Sequence, residues 1–139
     1  MKNYELKQPS RGKHYAYFNA NPKKRETDDC VIRALAIAFD LTWYDIYDAL
    51  EKIGRDNATV QDSDDCWKAF IQKQNVEPIQ TIHKGDRRRK RGLDFAKEHA
   101  DGRYVLNMAG HLSVCVDGCI YDIFDCSDSM VYKAWKVNE

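Results

Sequence analysis

The chain has no CxxC pair, no apolar run near the roughly 20 residues that a membrane-spanning helix needs, and only three prolines in 139 residues. It also lacks net charge, with 22 basic and 22 acidic side chains in balance, so no global field draws it to nucleic acid or to a membrane surface. Any such partner would have to read a local patch. The five cysteines are an odd number without paired spacing, which argues against both a disulfide framework and a zinc knuckle. Met1-Lys2-Asn3-Tyr4-Glu5 does not begin as a signal peptide does, so the expectation is a cytoplasmic protein with reduced thiols and no membrane partner.

The length supports one domain with a real core and is short for two. We therefore read residues 1–139 as a single domain, with residues 1–20 as an extended segment lying on it. The stretch that organises the rest is Glu26-Thr27-Asp28-Asp29-Cys30-Val31-Ile32-Arg33-Ala34-Leu35-Ala36-Ile37-Ala38-Phe39, a polar approach into an almost unbroken apolar segment. It reads as a buried helix capped by Thr27, with Cys30 near the third helical position. The partial positive charge of a helix N-terminus favours a thiolate there. A lone cysteine is ordinarily a small buried hydrophobe, and Glu26, Asp28 and Asp29 oppose ionisation unless they point away or are paired. A functional thiol therefore needs a base from elsewhere in the chain.

Two further helices are expected. One starts on the capping pattern Thr42-Trp43-Tyr44-Asp45 and runs to about Ile53, ended by Gly54; the other starts at Asp62-Ser63-Asp64-Asp65 and carries Cys66, Trp67, Phe70 and Ile71 on one stripe. Residues 76–82 alternate with period two, and Pro78 puts that strand at an edge. A short helix is expected from Leu93 to His99. Lys84-Gly85-Asp86-Arg87-Arg88-Arg89-Lys90-Arg91 is the one strong charge block; it reads as a solvated loop, with Arg87, Arg88, Arg89, Lys90 and Arg91 as candidates for nucleic-acid or acidic-partner binding. It lacks interleaved aromatics on which bases would stack.

From residue 104 onward the period is two, and strands are expected at Tyr104–Met108, His111–Val116, Cys119–Phe124 and Val131–Val137. Helices followed by antiparallel strands indicate an α+β fold. Asp117-Gly118 between β-prone segments marks a two-residue hairpin turn, which pairs Val116 with Cys119 and Ser113 with Asp122. His111, Ser113, Cys115, Ile120, Asp122 and Phe124 then share one face. His111 and Asp122 become diagonal neighbours, roughly 7–8 Å apart at the backbone and within side-chain reach. Asp125 would face away unless a bulge shifts the register.

A helix-N-terminal cysteine, then a strand histidine, then a carboxylate on the adjoining strand, in that chain order, resembles the papain-like cysteine peptidase superfamily. Asp29-Cys30 before an Ala-rich helix, with Gly110-His111 and Ile120-Tyr121-Asp122 downstream, looks most like its compact members, such as the double-glycine peptidases. The wider pattern, from Asn21-Pro22 through Gly102-Arg103-Tyr104 to Tyr121-Asp122-Ile123-Phe124-Asp125-Cys126-Ser127-Asp128, is also similar to small uncharacterised proteins of bacteriophages and their hosts. The resemblance implies a papain-like fold, N-terminal helices on a C-terminal antiparallel sheet. It implies a hydrolase of peptide, isopeptide or other amide bonds with Cys30 as nucleophile, His111 as base and acid, and Asp122, or alternatively Asp125, orienting the imidazole. A protein or peptide substrate follows, with no cofactor. The family's oxyanion glutamine, about six residues before the nucleophile, is replaced by Lys24. The Cys30 N–H would be one oxyanion donor, with Asn21, Asn19 or Thr27 supplying another. Two rival readings remain, an inactive papain-like binding or inhibitor protein and a nucleic-acid binder acting through residues 84–91. A metal held by Cys30, His111 and a carboxylate has no ligand spacing to support it.

Overall fold

A computed structural model describes residues 2–10 and 12–138. Among these, the elements run β1 (Tyr15–Tyr17), α1 (Cys30–Phe39), α2 (Trp43–Asn57), α3 (Asp64–Gln72), β2 (Val76–Ile79), α4 (Gly92–Glu98), β3 (Arg103–Met108), β4 (His111–Val116), β5 (Cys119–Asp122) and β6 (Val131–Val137). The strands form one sheet in the order β1-β5-β4-β3-β6-β2. The class is α+β, as the pattern of helices before strands implies. The sheet is mixed, however, because β1 pairs with β5 in parallel while every other pairing is antiparallel. Among the described residues, no helix is long and apolar enough to cross a membrane.

The turn at Asp117-Gly118 has positive φ at both positions, 48° and 78°, which is the backbone a tight hairpin requires. Val116 pairs with Cys119 and Cys115 with Ile120, so period two sorts the side chains onto two faces. Leu112, Val114, Val116, Cys119 and Tyr121 join the core under α1, α2 and α3. Cys115 and Ile120 point the other way, into a second core that Phe95 and Ala96 of α4 cover. The sheet is therefore a layer between helices on both faces, whereas the sequence pattern suggested helices on one. β5 ends at Asp122 and not at Phe124, which stands half exposed.

α1 lies against β4 and is buried almost all round; Val31 through Ala38 are all buried, Arg33 included. A helix of this kind owes its stability to packing more than to intrinsic propensity. Its C-terminal carbonyl at Ile37 accepts from the Arg103 guanidinium, a cation placed where the helix dipole is negative. Its start differs from expectation. Helix geometry begins at Cys30, with Asp29 in the cap position making no side-chain cap bond, so Thr27 is not the cap and Cys30 is the first helical residue.

α2 has the expected capping box between Thr42 and Asp45. It continues one turn past Gly54, ending only where Ala58 enters the left-handed region. Gly54 is a close-approach residue and not a terminator: a Cβ there would stand 2.8 Å from the Thr59 carbonyl oxygen. β2 does lie at the sheet edge with Pro78 in it, as its missing N–H requires.

Candidate active site

Cys30 opens α1, partly buried, with its thiol facing β4. The N–H groups of a helix's first turn have no intrahelical partner, and at α1 no side chain from the cap position takes them up. The neighbouring carboxylate that could have opposed a thiolate is turned away. Asp29 Oδ2 accepts from Asn21 Nδ2 at 3.0 Å and Trp43 Nε1 at 2.9 Å, and its Oδ1 accepts from Arg33 Nη1 at 2.6 Å.

His111 starts β4 and Asp122 ends β5, brought side by side by the hairpin. Nε2 of His111 donates to Oδ2 of Asp122 at 2.7 Å, and the Ser113 hydroxyl donates to the same oxygen at 2.6 Å. The backbone N–H of Ile123 donates to Oδ1 at 2.8 Å, and Arg33 Nη2 stands 3.6 Å from that atom. The Cys126 thiol closes the cluster, 3.6 Å from the Ser113 hydroxyl and 3.7 Å from Asp122 Oδ2. The Phe124 ring packs on the imidazole with centroids 4.8 Å apart.

These contacts set the protonation. Burial pushes the Cys30 thiol up, but its hydrogen bond with the His111 imidazole, the Leu112 N–H and the positive charges of His111 and Arg33 outweigh it, and the thiol is more acidic than usual. Burial alone would make the imidazole a weaker base; the bonds to Asp122, Cys126 and Cys30 overcome it and raise His111 to about 11. Burial also opposes the Asp122 carboxylate, yet the bonds from His111 and Ser113 hold it below the usual carboxylate range. By contrast, burial pushes the Cys115 thiol up to about 12 and Cys119 to about 11. The arrangement favours a thiolate at Cys30 beside an imidazolium.

Cys30 and His111 line the same cleft, about 690 Å³ in volume, whose walls include Trp67, Asn107, Gly110 and Phe124. Asp28, Asp62 and Asp64 stand at its rim, all exposed. Thr27 also lines it. Asn21 does not. Its amide nitrogen is on Asp29, its oxygen accepts the N–H groups of Lys23 and Arg25, and it lines a separate groove of about 470 Å³ beside Trp43, Tyr44 and Tyr47. Asn19 is likewise engaged, donating to the Arg25 carbonyl and accepting from the Asn21 N–H. Between the two candidate orienting carboxylates, Asp122 holds the histidine; Asp125 is exposed and accepts the Ser127 N–H.

The basic run is more tied down than a free loop. Arg88 pairs with Asp86, Arg89 donates to the Tyr132 carbonyl and lies over its ring, buried Lys90 meets Glu98 at 2.6 Å, and Arg91 reaches Asp94 and Asp128. Arg87 is exposed. None of them lines the cleft, although Arg89 lies over Tyr132, which does.

His111, Asp122 and Cys126 offer three donor atoms within 4.8 Å of one another. Two ligands about 2.0 Å from a tetrahedral zinc stand roughly 3.3 Å apart, so the 2.7 Å imidazole–carboxylate contact is a hydrogen bond that a metal would first have to open. Comparison of the chain with protein-family models, curated proteins and solved structures finds no match.

Arg33, Ser113 and Cys126 take part in this cluster without having been singled out from the sequence. Arg33 carried a usable signal, being the single charge inside an apolar helix. Ser113 shared the predicted face of His111. Cys126 had no local signal, because its contact depends on how the chain turns after β5.

Proposed function

We propose that the chain is a small thiol hydrolase of the papain-like type that cleaves a peptide, isopeptide or other amide bond. The observation that carries this reading is the His111–Asp122 contact of 2.7 Å with the same imidazole lowering the pKa of Cys30. The Cys30 thiolate attacks the substrate carbonyl carbon, and the carbonyl π electrons move onto oxygen. The resulting oxyanion is met by the free N–H groups of the first turn of α1, beginning with that of Cys30 itself. Collapse breaks the C–N bond, and the His111 imidazolium gives its proton to the leaving amine. The neutral imidazole then takes a proton from water, whose oxygen attacks the acyl-thioester; the acid leaves and the thiolate–imidazolium pair is restored. Asp122 fixes which imidazole nitrogen faces the sulfur.

A chloroacetamide or vinyl sulfone probe tests this reading. It should label Cys30 ahead of the other four thiols, and labelling should fall to the background level in His111→Ala. Equal labelling of several cysteines, indifferent to His111, would refute it.

A second reading, an inactive binding or inhibitor protein on the same scaffold, draws support from Lys24. That residue stands where the family carries its oxyanion glutamine, and its ammonium is on the Asn19 carbonyl at 3.0 Å. Full biological effect in Cys30→Ala would favour this second reading over the first.

A further inference from the structure

Arg33 is the one charged residue inside α1, and its side chain is 5% exposed, as are those of both carboxylates it faces. Leaving a guanidinium so far from water is costly unless it is paired. Both partners bear on the reacting thiol. Asp29 precedes Cys30 in the chain and is bound at 2.6 Å; Asp122 lies behind His111 and is 3.6 Å away. Asp29, Arg33, Asp122, His111 and Cys30 therefore form a run of alternating charge from the cap of α1, through its first turn, across to the sheet and back to the sulfur.

We propose that Arg33 is a positioning residue for the thiol, neutralising Asp29 next to Cys30 and bracing Asp122 so that its free edge serves the histidine. The inference rests on the hydrolase reading and adds to it a residue that, although it borders the cleft beside Cys30, acts through its two carboxylate partners. The opposing charges are accounted for on every side. His111 faces the thiol from β4, with Asp122 and Cys126 behind it; exposed Asp28, Asp62 and Asp64 and the exposed Tyr132 line the same cleft. Of the acidic groups, Asp29 is adjacent in sequence, buried, and paired with Arg33. Without the guanidinium, a buried carboxylate would remain next to the nucleophile with only two neutral donors, Asn21 and Trp43. The same loss would remove the cation facing Asp122 Oδ1 and leave the Ile123 N–H to hold that oxygen, weakening the brace behind His111.

The test is the pH profile of Cys30 alkylation by iodoacetamide, read on the Cys30 peptide by mass spectrometry, in the full chain. Arg33→Gln should shift the midpoint of Cys30 reactivity upward by about one unit, a tenfold loss of thiolate at pH values below it. Arg33→Lys, which keeps the charge but not the two-sided fork, should shift it less. The double variant Asp29→Asn/Arg33→Gln removes the carboxylate as well, and its midpoint should lie between those of the wild type and Arg33→Gln. Circular dichroism and thermal melting identify the variants that fold. If Arg33→Gln does not, Arg33→Lys and the double variant, which leaves no unpaired buried charge at Asp29, carry the comparison. A folded Arg33→Gln with the wild-type midpoint overturns the proposal, as does a double variant whose midpoint is no lower than that of Arg33→Gln. If Arg33→Gln is unfolded, wild-type midpoints in both remaining variants overturn it. A wild-type Cys30 that reacts as an ordinary thiol would instead refute the hydrolase reading itself, so the two failures are distinct.

Discussion

His111 Nε2 and Asp122 Oδ2 stand 2.7 Å apart although they are eleven positions apart in the chain, because a two-residue turn at Asp117-Gly118 folds β4 onto β5 and leaves both side chains on one face. The other face of the hairpin is core. The strand that supplies the imidazole is thus packed against the helix that carries the thiol.

Asp122→Asn removes the charge and one acceptor while keeping the shape. Hydrogen bonds to charged groups are worth about 1.5–3 kcal/mol, so Cys30 alkylation at neutral pH should slow roughly 10- to 100-fold. Ser113→Ala removes a neutral donor from the same oxygen and should slow it less. Alkylation kinetics on the two variants check the order.

The pH dependence follows from two shifts of opposite kind. His111 is raised to about 11 in the folded state, so its contribution to stability is fully present below its unfolded value of about 6.5 and is lost as pH rises through about 11. Asp122 is lowered, so its contribution is present above the unfolded carboxylate value and is lost as pH falls through the folded one. Denaturant unfolding of wild type and His111→Gln across the alkaline range should show the stability gap closing as pH climbs toward 11.

Leu35 is fully buried in the middle of α1. Leu35→Ala should cost about 2–5 kcal/mol through lost burial and the cavity left behind. Urea denaturation measures this, and because Leu35 does not line the cleft, the Cys30 midpoint in the still-folded fraction should not move.

Gly54→Ala gives a different kind of destabilisation. In an exposed helix interior alanine would be favoured by about 1 kcal/mol, but here the added Cβ would meet the Thr59 carbonyl oxygen at 2.8 Å. Thermal melting should therefore place this variant below the wild type, reversing the sign that propensity alone gives.

The legible parts of the fold were those governed by short-range pattern. Asp117-Gly118, the period of two from β3 to β6, Pro78 at an edge and the Thr42/Asp45 capping box all act within a few residues and are found where the pattern puts them, although β2 stops at Ile79, short of the expected Ile82, and β5 at Asp122. The less legible parts depend on distant partners. α1 starts at Cys30 because Asn21, Trp43 and Arg33 take the Asp29 side chain away from capping. α2 outruns Gly54 because the chain beyond it folds back onto the glycine. β1 joins β5 in parallel across more than a hundred residues, a pairing with no local signature. At the candidate site, His111 and Asp122 were readable from hairpin register and Arg33 stood out as a lone charge in an apolar helix, whereas Cys126 enters only through tertiary contacts.

The proposed chemistry requires that Cys30 ionise below the ordinary thiol range because His111 stands beside it. Ultraviolet thiolate absorbance, followed across pH in the wild type, Cys30→Ser and His111→Ala, reads this directly. One thiolate is expected at neutral pH in the wild type, missing from Cys30→Ser and shifted into the ordinary thiol range in His111→Ala. A wild-type signal that rises only in that ordinary range, unchanged by removal of the imidazole, would contradict it.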